Sequence, residues 1–341
     1  MIQPLPDDGA WRRIVNDSGQ AGLAHSPEWF LLIQRAYGHS PLYLRADDGN
    51  GRSGVLPAFV VRRPFFGAVV TSMPFLDSGG PCSPNPATRR MLVDHLVAEA
   101  RRIGARAVEL RCSEPVDIAD RPAQHKVNMT LPLAPDPDRL WRQFDKQVRN
   151  QIRKAERSGL VVEVGGVEKL SAFYEAFVIR MRDLGSPVHA PEFLRAVLET
   201  FGGRARVLLV RKADTTVGGL ISLSFKDRLI VPWATCLKDY FSLCPNMLLY
   251  WEAIRAACVD GFQRFDFGRS SRDSGTYRFK CQWGAREEAL YWYTIPIAGP
   301  LPARPSSAEL PGRPFLAETW RHLPLALTRH LGPRIRRYLT Q

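Results

Sequence analysis

Three things are scarce in this sequence: paired cysteines, long apolar runs and acidic residues. None of the six cysteines, Cys82, Cys112, Cys236, Cys244, Cys258 and Cys281, forms a C-x-x-C pair with another. That argues against a zinc site and against a disulfide framework, and leaves reduced core or surface thiols. No uninterrupted apolar run is long enough to span a bilayer, and Met1–Arg13 is acidic and polar where a secretory leader is basic and then apolar. A cytoplasmic protein is therefore expected. Asp and Glu number 34 against 47 Lys and Arg, giving a formal net charge of +13 and a pI near 9.8. Such an imbalance favours polyanionic company: nucleic acid, nucleotide phosphates or an anionic membrane surface. RRM, KH, zinc-finger and helix-turn-helix signatures are missing, which disfavours a dedicated nucleic-acid reader. A G-x-S-x-G elbow and an obvious Cys–His pairing are missing as well, so no side-chain nucleophile stands out.

What is present is a globular chain of 341 residues, 45% of them apolar, a length that suits two domains of about 150 residues. From Pro41 to Ser72 the text reads as strands, PLYLRADD, a turn at Gly49–Gly51, SGVLPAFVVRR and FFGAVVTS. A Gly/Pro-rich loop, a helix over Thr88–Arg102 and the strand AVELR follow. The second half repeats that order with RVLLVRK, VGGLISLSF, DRLIVPWATC, the helix MLLYWEAIRAAC and the strand RFDFGR. Matching points, Gly54 with Gly218 and Ala107 with Phe265, lie about 160 positions apart, the mark of a weak internal duplication; two unrelated α/β domains of similar order are the alternative. The expected domains are 1–135, 136–298 and a tail over 299–341.

The clearest helix spans Asp136–Ser158, where Leu140, Phe144, Val148 and Ile152 form one apolar stripe and Gly159 can serve as the stop. Arg142, Lys146, Arg149, Arg153 and Arg157 gather on the opposite side. That face is either solvated surface or a ridge for phosphates, tRNA among them. After Ile297 the composition turns to a Pro-rich linker. Beyond it, Phe315–Tyr338 mixes Trp320 and several leucines with five arginines, broken into short amphipathic pieces by Pro324 and Pro333. Such a tail either lies peripherally on an anionic membrane or packs back onto the body.

The stretch Lys146–Trp292 carries KQVRNQIRKAERSGLVVEV, FYEAFVIRMRDLGSPVH, NMLLYWEAIRAACVDG and FDFGRSSRDSGTYRFKCQWGA; the first half adds SPEWFLLIQRAYG and MPFLDSGGP. This text resembles the FemAB-like N-acyltransferases, most closely those associated with exosortase (PEP-CTERM) and exopolysaccharide systems. The FDFGRS…FKxxWG run is its specific part. The resemblance implies an α/β fold with mixed sheets made of two tandem GNAT-like domains. It also implies transfer of an acyl or aminoacyl group to an amine on a cell-envelope, polysaccharide-linked or small-molecule acceptor. No cofactor or metal is implied; the donor would be aminoacyl-tRNA, acyl-CoA or an acyl carrier. A non-catalytic GNAT scaffold at the membrane surface and an RNA-binding protein are the alternatives.

Acyl transfer by direct attack needs an activated ester or thioester, a deprotonated amine, and donors aimed at the oxygen that becomes negative. By the resemblance, Lys280 in FKCQWG would stabilise that oxygen, a contribution of roughly 3 to 4 kcal/mol if it acts like other oxyanion donors; a plain surface lysine is the alternative. Around it, Tyr277, Phe279, Cys281 and Trp283 alternate with Arg278, Lys280 and Gln282 as a strand would, whereas the family likeness implies a short helix beginning after Gly275. Asp266, Arg269 and Ser270 end the RFDFGR strand, where GNAT sheets splay to admit substrate. Arg269 could fork onto a phosphate or carboxylate; an Asp266–Arg269 ion pair fixing the strand end is the competing reading. Asp273 or Ser274 would cap the next helix.

His189, in DLGSPVHAP, is either the base for the attacking amine or an exposed loop histidine. Trp233, Tyr250 and Tyr277 would line the groove or pack in the core, and Arg149 would meet donor phosphates. Two departures from the resemblance stand out. LKDYFSLCPN has no glycine where acetyl-CoA-binding GNAT domains hold pyrophosphate, which disfavours ordinary acetyl-CoA use. SPEWFLLIQR has Gln34 and Arg35 where muropeptide-using members often carry a lysine, which puts a UDP-linked peptidoglycan acceptor in doubt.

Overall fold

The protein is described by a computed structural model covering residues 2–4, 8–47, 53–64, 67–298 and 313–340. The turn expected at Gly49–Gly51 and the linker from 299 to 312 lie outside the described residues. The chain divides into two compact units. Unit 1 holds Met1–Val127, Ala289–Leu310 and Arg337–Gln341; unit 2 holds Asn128–Glu288 and Pro311–Arg336.

In chain order, the first elements are β1 (Ile2–Pro4), α1 (Asp8–Asp17), α2 (Glu28–Tyr37), β2 (Ser40–Pro41), β3 (Leu44–Asp47), β4 (Ser53–Leu56), β5 (Phe59–Arg63), β6 (Gly67–Thr71), α3 (Pro86–Ile103) and β7 (Ala107–Cys112). Next come β8 (Lys126–Pro132), α4 (Pro137–Gln143), α5 (Lys146–Arg157), β9 (Leu160–Gly165), α6 (Leu170–Asp183), α7 (Pro191–Phe201), β10 (Ala205–Lys212), β11 (Thr215–Phe225) and β12 (Arg228–Cys236). The remainder are α8 (Pro245–Val259), β13 (Arg264–Ser271), α9 (Gly275–Gln282), β14 (Arg286–Ala289), β15 (Tyr291–Pro296), α10 (Arg313–His322) and α11 (Leu325–Arg336).

Unit 1 contains a three-stranded sheet, β1-β3-β4, and a five-stranded one, β15-β7-β6-β5-β2. PLYLRADD is therefore split between two sheets, and SGVLPAFVVRR breaks at Pro57 into β4 and β5. The β6–β7 pair is parallel, which requires a crossover helix; α3 supplies it. The Asn85 side chain accepts the Ala87 amide at its start, Pro86 takes the first position, and Gly104 closes it in the left-handed region at φ 71. Leu92, Val93, Leu96 and Ala100 on α3 pack with Val70, Val108 and Leu110. Each of those Leu and Val side chains contributes about 1.5–3 kcal/mol on burial.

Unit 2 contains a seven-stranded sheet, β14-β8-β13-β12-β11-β10-β9. β9 to β12 are antiparallel neighbours, and β12–β13 is again a parallel pair joined by a helix, here α8. The order strand, helix, parallel strand thus recurs in both units. In that register Ala107 corresponds to Arg264 and Val108 to Phe265, one residue from the match read in the sequence.

The helix expected over Asp136–Ser158 is two helices. α4 ends at Phe144, which is extended at φ -69 and ψ 146, and α5 restarts after Asp145. The stripe survives the break because Leu140, Phe144, Val148 and Ile152 are all buried. The break lets the Phe144 ring reach Trp251 at 5.8 Å and Trp283 at 5.2 Å. α10 and α11 pack back on unit 2, α11 against α6, with Arg329 forking onto Glu175. Pro324 separates the two tail helices, but Pro333 sits inside the last turn of α11 and does not interrupt it. Phe315 and Leu316 remain 73% and 67% exposed.

Candidate active site in unit 2

The parallel pair β12–β13 is short. Arg228 faces Arg264, Leu229 faces Phe265 and Ile230 faces Asp266, and there the ladder ends. β12 runs on to Cys236 beside β11, while β13 continues to Ser271 away from it. Parting strands leave buried main-chain groups without ladder partners, and these must be met by other donors. Gly268, two residues past the last position of β13 paired with β12, has φ 73, a conformation that glycine adopts without strain.

The donor that meets β13 is Lys280. It is buried, at 6% exposure, and its Nζ donates to the Gly268 and Arg269 carbonyl oxygens at 2.8 Å each. The alternation in TYRFKCQW is not a strand: α9 spans Gly275–Gln282, started by Ser274, whose hydroxyl accepts the Tyr277 amide. A helical turn explains the division of labour. Phe279 and Trp283 share the inner side with Lys280, Phe279 meeting Tyr250 at 5.2 Å, while Cys281 is exposed. Tyr277 looks outward and donates to Glu287 at 2.5 Å, a bond that raises its phenol pKa and holds it protonated.

Asp266 closes the paired part of β13. Its carboxylate accepts the Gly268 amide at 2.7 Å and the Asn128 side chain at 2.9 Å, and Arg228 lies 4.0 Å away. Glu288 joins the group through Arg228 at 3.1 Å and Thr130 at 3.1 Å. Asp266 is thus ion-paired with Arg228, a partner the sequence did not suggest. Ser270 is buried and donates to Thr276 at 3.4 Å, and Thr276 exchanges a bond with the capping Ser274 at 3.0 Å. Asn128, Arg228 and Glu288 escaped the sequence reading. Asn128 and Glu288 are separated from Asp266 and from each other by long stretches of chain, and no local pattern links them.

His189 is not an exposed loop histidine. It is 2% exposed, its ring stacked on Phe193 at 4.8 Å and edge-on to Trp233 at 6.0 Å. Arg336 Nε donates to its Nε2 at 3.0 Å. Burial, reinforced by that guanidinium, pushes the imidazole pKa well below 6.5. The ring is neutral, with this lone pair engaged by arginine, so in this arrangement Nε2 does not receive a proton from an amine. Trp233 sits 7% exposed in the same aromatic group. The structure therefore places Asp266, Arg269 and Ser270 along β13 where its pairing with β12 ends, with Lys280 bonded to that stretch, and places His189 and Trp233 in a second, aromatic cluster.

Tyr250 stacks on Phe267 at 5.4 Å, and burial, with the Cys236 thiol nearby, raises its phenol pKa. Before α8, the glycine-free loop forms a 3-10 helix over Lys238–Leu243, and Cys244 takes the left-handed conformation at φ 60. On α5, Lys146, Arg153, Lys154 and Arg157 are exposed, Arg149 is half-buried and donates to the Arg142 carbonyl at 3.5 Å, and Arg153 lies over the Trp141 ring at 5.7 Å. Among the described residues, no group of three or more His, Cys, Asp or Glu could hold a metal ion, and no helix is long and apolar enough to cross a membrane.

Residues 142–281 match a family described as an acetyltransferase (GNAT) domain; every predicted site residue lies in that span. No curated protein is significantly similar to the chain. Among solved structures, the chain is similar to FemX, with a TM-score of 0.69 and 15% identity over 87% of this chain and 98% of that one. It is also similar to L-PGS from Bacillus licheniformis, with a TM-score of 0.56 and 13% identity over 96% and 98%. A tandem GNAT protein from the clavulanic acid biosynthesis pathway gives a TM-score of 0.54 and 10% identity over 89% and 99%. The fold is thus the α/β, tandem GNAT-like one that the sequence resemblance implied.

Proposed function

We propose that this chain is an N-acyltransferase of the FemAB/GNAT type, acting at the β12–β13 opening of unit 2. The observation that carries this reading is that a separate helix, α9, delivers the buried Lys280 ammonium to the main chain of β13 where the parallel strand pair parts. An amine attacks the carbonyl carbon of an ester or thioester donor; the C–N bond forms, negative charge collects on oxygen, and the C–O or C–S bond then breaks. Lys280 would meet that oxygen. The two neutral carbonyls it now serves are weaker partners than an oxyanion, because charge on both sides of a hydrogen bond strengthens it. Arg269 and Ser270 would contact substrate, and Asp266 would hold β13 in place. The proton of the amine leaves to water or donor, since His189 is engaged by Arg336.

Two features support a donor class. The exposed basic side of α5 suits a phosphate-rich carrier such as aminoacyl-tRNA, with Arg149 at its edge. The glycine-free Lys238–Leu243 turn is poorly suited to cradling the pyrophosphate of acetyl-CoA. An acceptor in an exosortase-linked or exopolysaccharide pathway rests on the sequence resemblance alone. Exposed Phe315 and Leu316 on α10 support peripheral contact with an anionic membrane. The test is mass spectrometry of amine acceptors, including amino sugars and lysyl peptides, incubated with the chain and either charged tRNA or acyl-CoA. A chain-dependent acyl mass gain, greater with charged tRNA, is expected; no product with any donor overturns the reading.

A second reading, a catalytically silent scaffold, is favoured by the same two carbonyl bonds of Lys280, which give it a structural task of its own.

A further inference from the structure

The β6–β7 pair of unit 1 also parts, after Thr71 and Glu109, and the space beside it is taken by the segment Arg337–Thr340. Its main-chain carbonyls are met one after another. His39 Nε2 donates to the Arg337 oxygen at 2.8 Å, Arg63 Nε to the Tyr338 oxygen at 3.2 Å, and the Phe75 amide to the Thr340 oxygen at 3.1 Å. The Thr340 hydroxyl donates to Glu109 at 2.8 Å and also receives Arg63 Nη2 at 3.4 Å. At the other end, Arg337 Nη2 donates to the Tyr37 carbonyl at 2.6 Å.

Three features set this apart from ordinary core packing. Thr340 is 3% exposed, yet Leu339, the segment's one aliphatic side chain, is 39% exposed, so polar bonds rather than apolar burial hold the segment. Three of those six bonds go to the segment's own main-chain carbonyls, groups that any peptide presents. The receiving loop is strained: Met73 and Phe75 have φ 49 and 73, a region that non-glycine residues enter at a cost, and Phe75 uses that geometry to offer its amide to Thr340.

We propose that unit 1 carries a binding slot for a short peptide segment, lined by Tyr37, His39, Arg63, Phe75 and Glu109, and that residues 337–340 fill it as a removable internal ligand. Backbone carbonyls are recognised by His39, Arg63 and Phe75. Glu109, a buried carboxylate beside Arg63 at 3.7 Å, selects a donor at the Thr340 position, either a hydroxyl or an amino group. A peptide bearing such a residue binds only when the internal segment leaves. The inference concerns binding alone and stands apart from the transferase reading.

The test uses the full chain carrying Thr340→Asp, which sets a second carboxylate against Glu109 and expels the segment, together with a fluorescent peptide of sequence Arg-Tyr-Leu-Thr-Gln. Anisotropy should show the peptide binding the variant at least about tenfold more tightly than the unsubstituted chain. Equal affinities, absence of binding, or a Thr340→Asp chain that does not fold would overturn the proposal, because a removable occupant is not required by the fold. Hydrogen exchange on the unsubstituted chain gives a second readout. The Phe75 amide, bonded to Thr340, should exchange about a hundredfold faster than the Ser72 amide, bonded to Glu109; equal protection would show a fixed element and overturn the slot.

Discussion

Each unit has a parallel strand pair ending on a carboxylate, Glu109 opposite Thr71 and Asp266 opposite Ile230. Each pair then parts, and each parting is met by a buried cation. In unit 1 the cation is Arg111, carried by β7 itself, 2% exposed and donating to the Met73 and Leu76 carbonyls at 3.3 and 2.9 Å. In unit 2 the strand has Gly268 at the corresponding position, and the cation comes from the following helix as Lys280. The difference teaches that a buried cation at parting strands is partly a requirement of the fold, met by whichever element is nearest. Burial of Lys280 therefore does not by itself assign it chemistry. Its delivery on a separate helix, to a strand that has Gly268 where β7 has Arg111, is what distinguishes unit 2.

Breaking each cation separates the two tasks. Arg111→Ala should cost the most stability, about 3–5 kcal/mol, because it strips a buried charge network that includes Glu109 and contact with the Trp292 ring at 5.2 Å; urea denaturation measures it. Lys280→Ala should cost less, about 1.5–3 kcal/mol by the same measurement, since two hydrogen bonds to neutral carbonyls are lost. A larger loss than for Arg111→Ala would reverse that order.

Acid sharpens the comparison, because each unit holds a buried imidazole beside an arginine of the chain's end. His39 donates to the Arg337 carbonyl and His189 accepts from Arg336. Burial lowers both pKa values below 6.5, His189 the further. In the unfolded chain each takes up a proton below about pH 6.5, whereas the folded chain does so only at lower pH. The unfolded state then binds more protons, so stability present above pH 6.5 falls as pH drops, by up to about 1.4 kcal/mol per pH unit for each histidine. His189→Gln should flatten that slope over a wider pH range than His39→Gln; identical slopes in chemical denaturation from pH 7.5 to 5 would contradict it. The smallest effect belongs to α5. Arg153→Ala with Arg157→Ala should change stability by less than about 0.5 kcal/mol, yet reduce the salt dependence of tRNA binding measured by filter retention.

Much of the fold was legible because its signals are local. The repeat of strand, helix and strand, the Ser274 cap and the glycine stop after α5 each depend on neighbouring residues. The helical nature of α9 was legible only through family likeness, since eight residues alternating in polarity read equally well as a strand. The break at Phe144 was hidden because the apolar spacing continues across it. The candidate site was half legible. Lys280, Asp266 and Ser270 lie within one motif, but the groups that orient Asp266, Asn128 and Glu288 above all, come from distant strands. His189 was misplaced for the same reason: its surroundings are set by Arg336, far along the chain, and loop composition carries no trace of that contact.

The central claim, that Lys280 faces the carbonyl being remade, is tested most directly by single-turnover acyl transfer in Lys280→Ala and Arg111→Ala, each corrected for its folded fraction. The account requires a loss of about 10²–10³-fold in rate for Lys280→Ala and a rate per folded molecule close to that of the unsubstituted chain for Arg111→Ala. An unchanged rate per folded molecule in Lys280→Ala would contradict it and leave that ammonium a structural brace like its counterpart in unit 1.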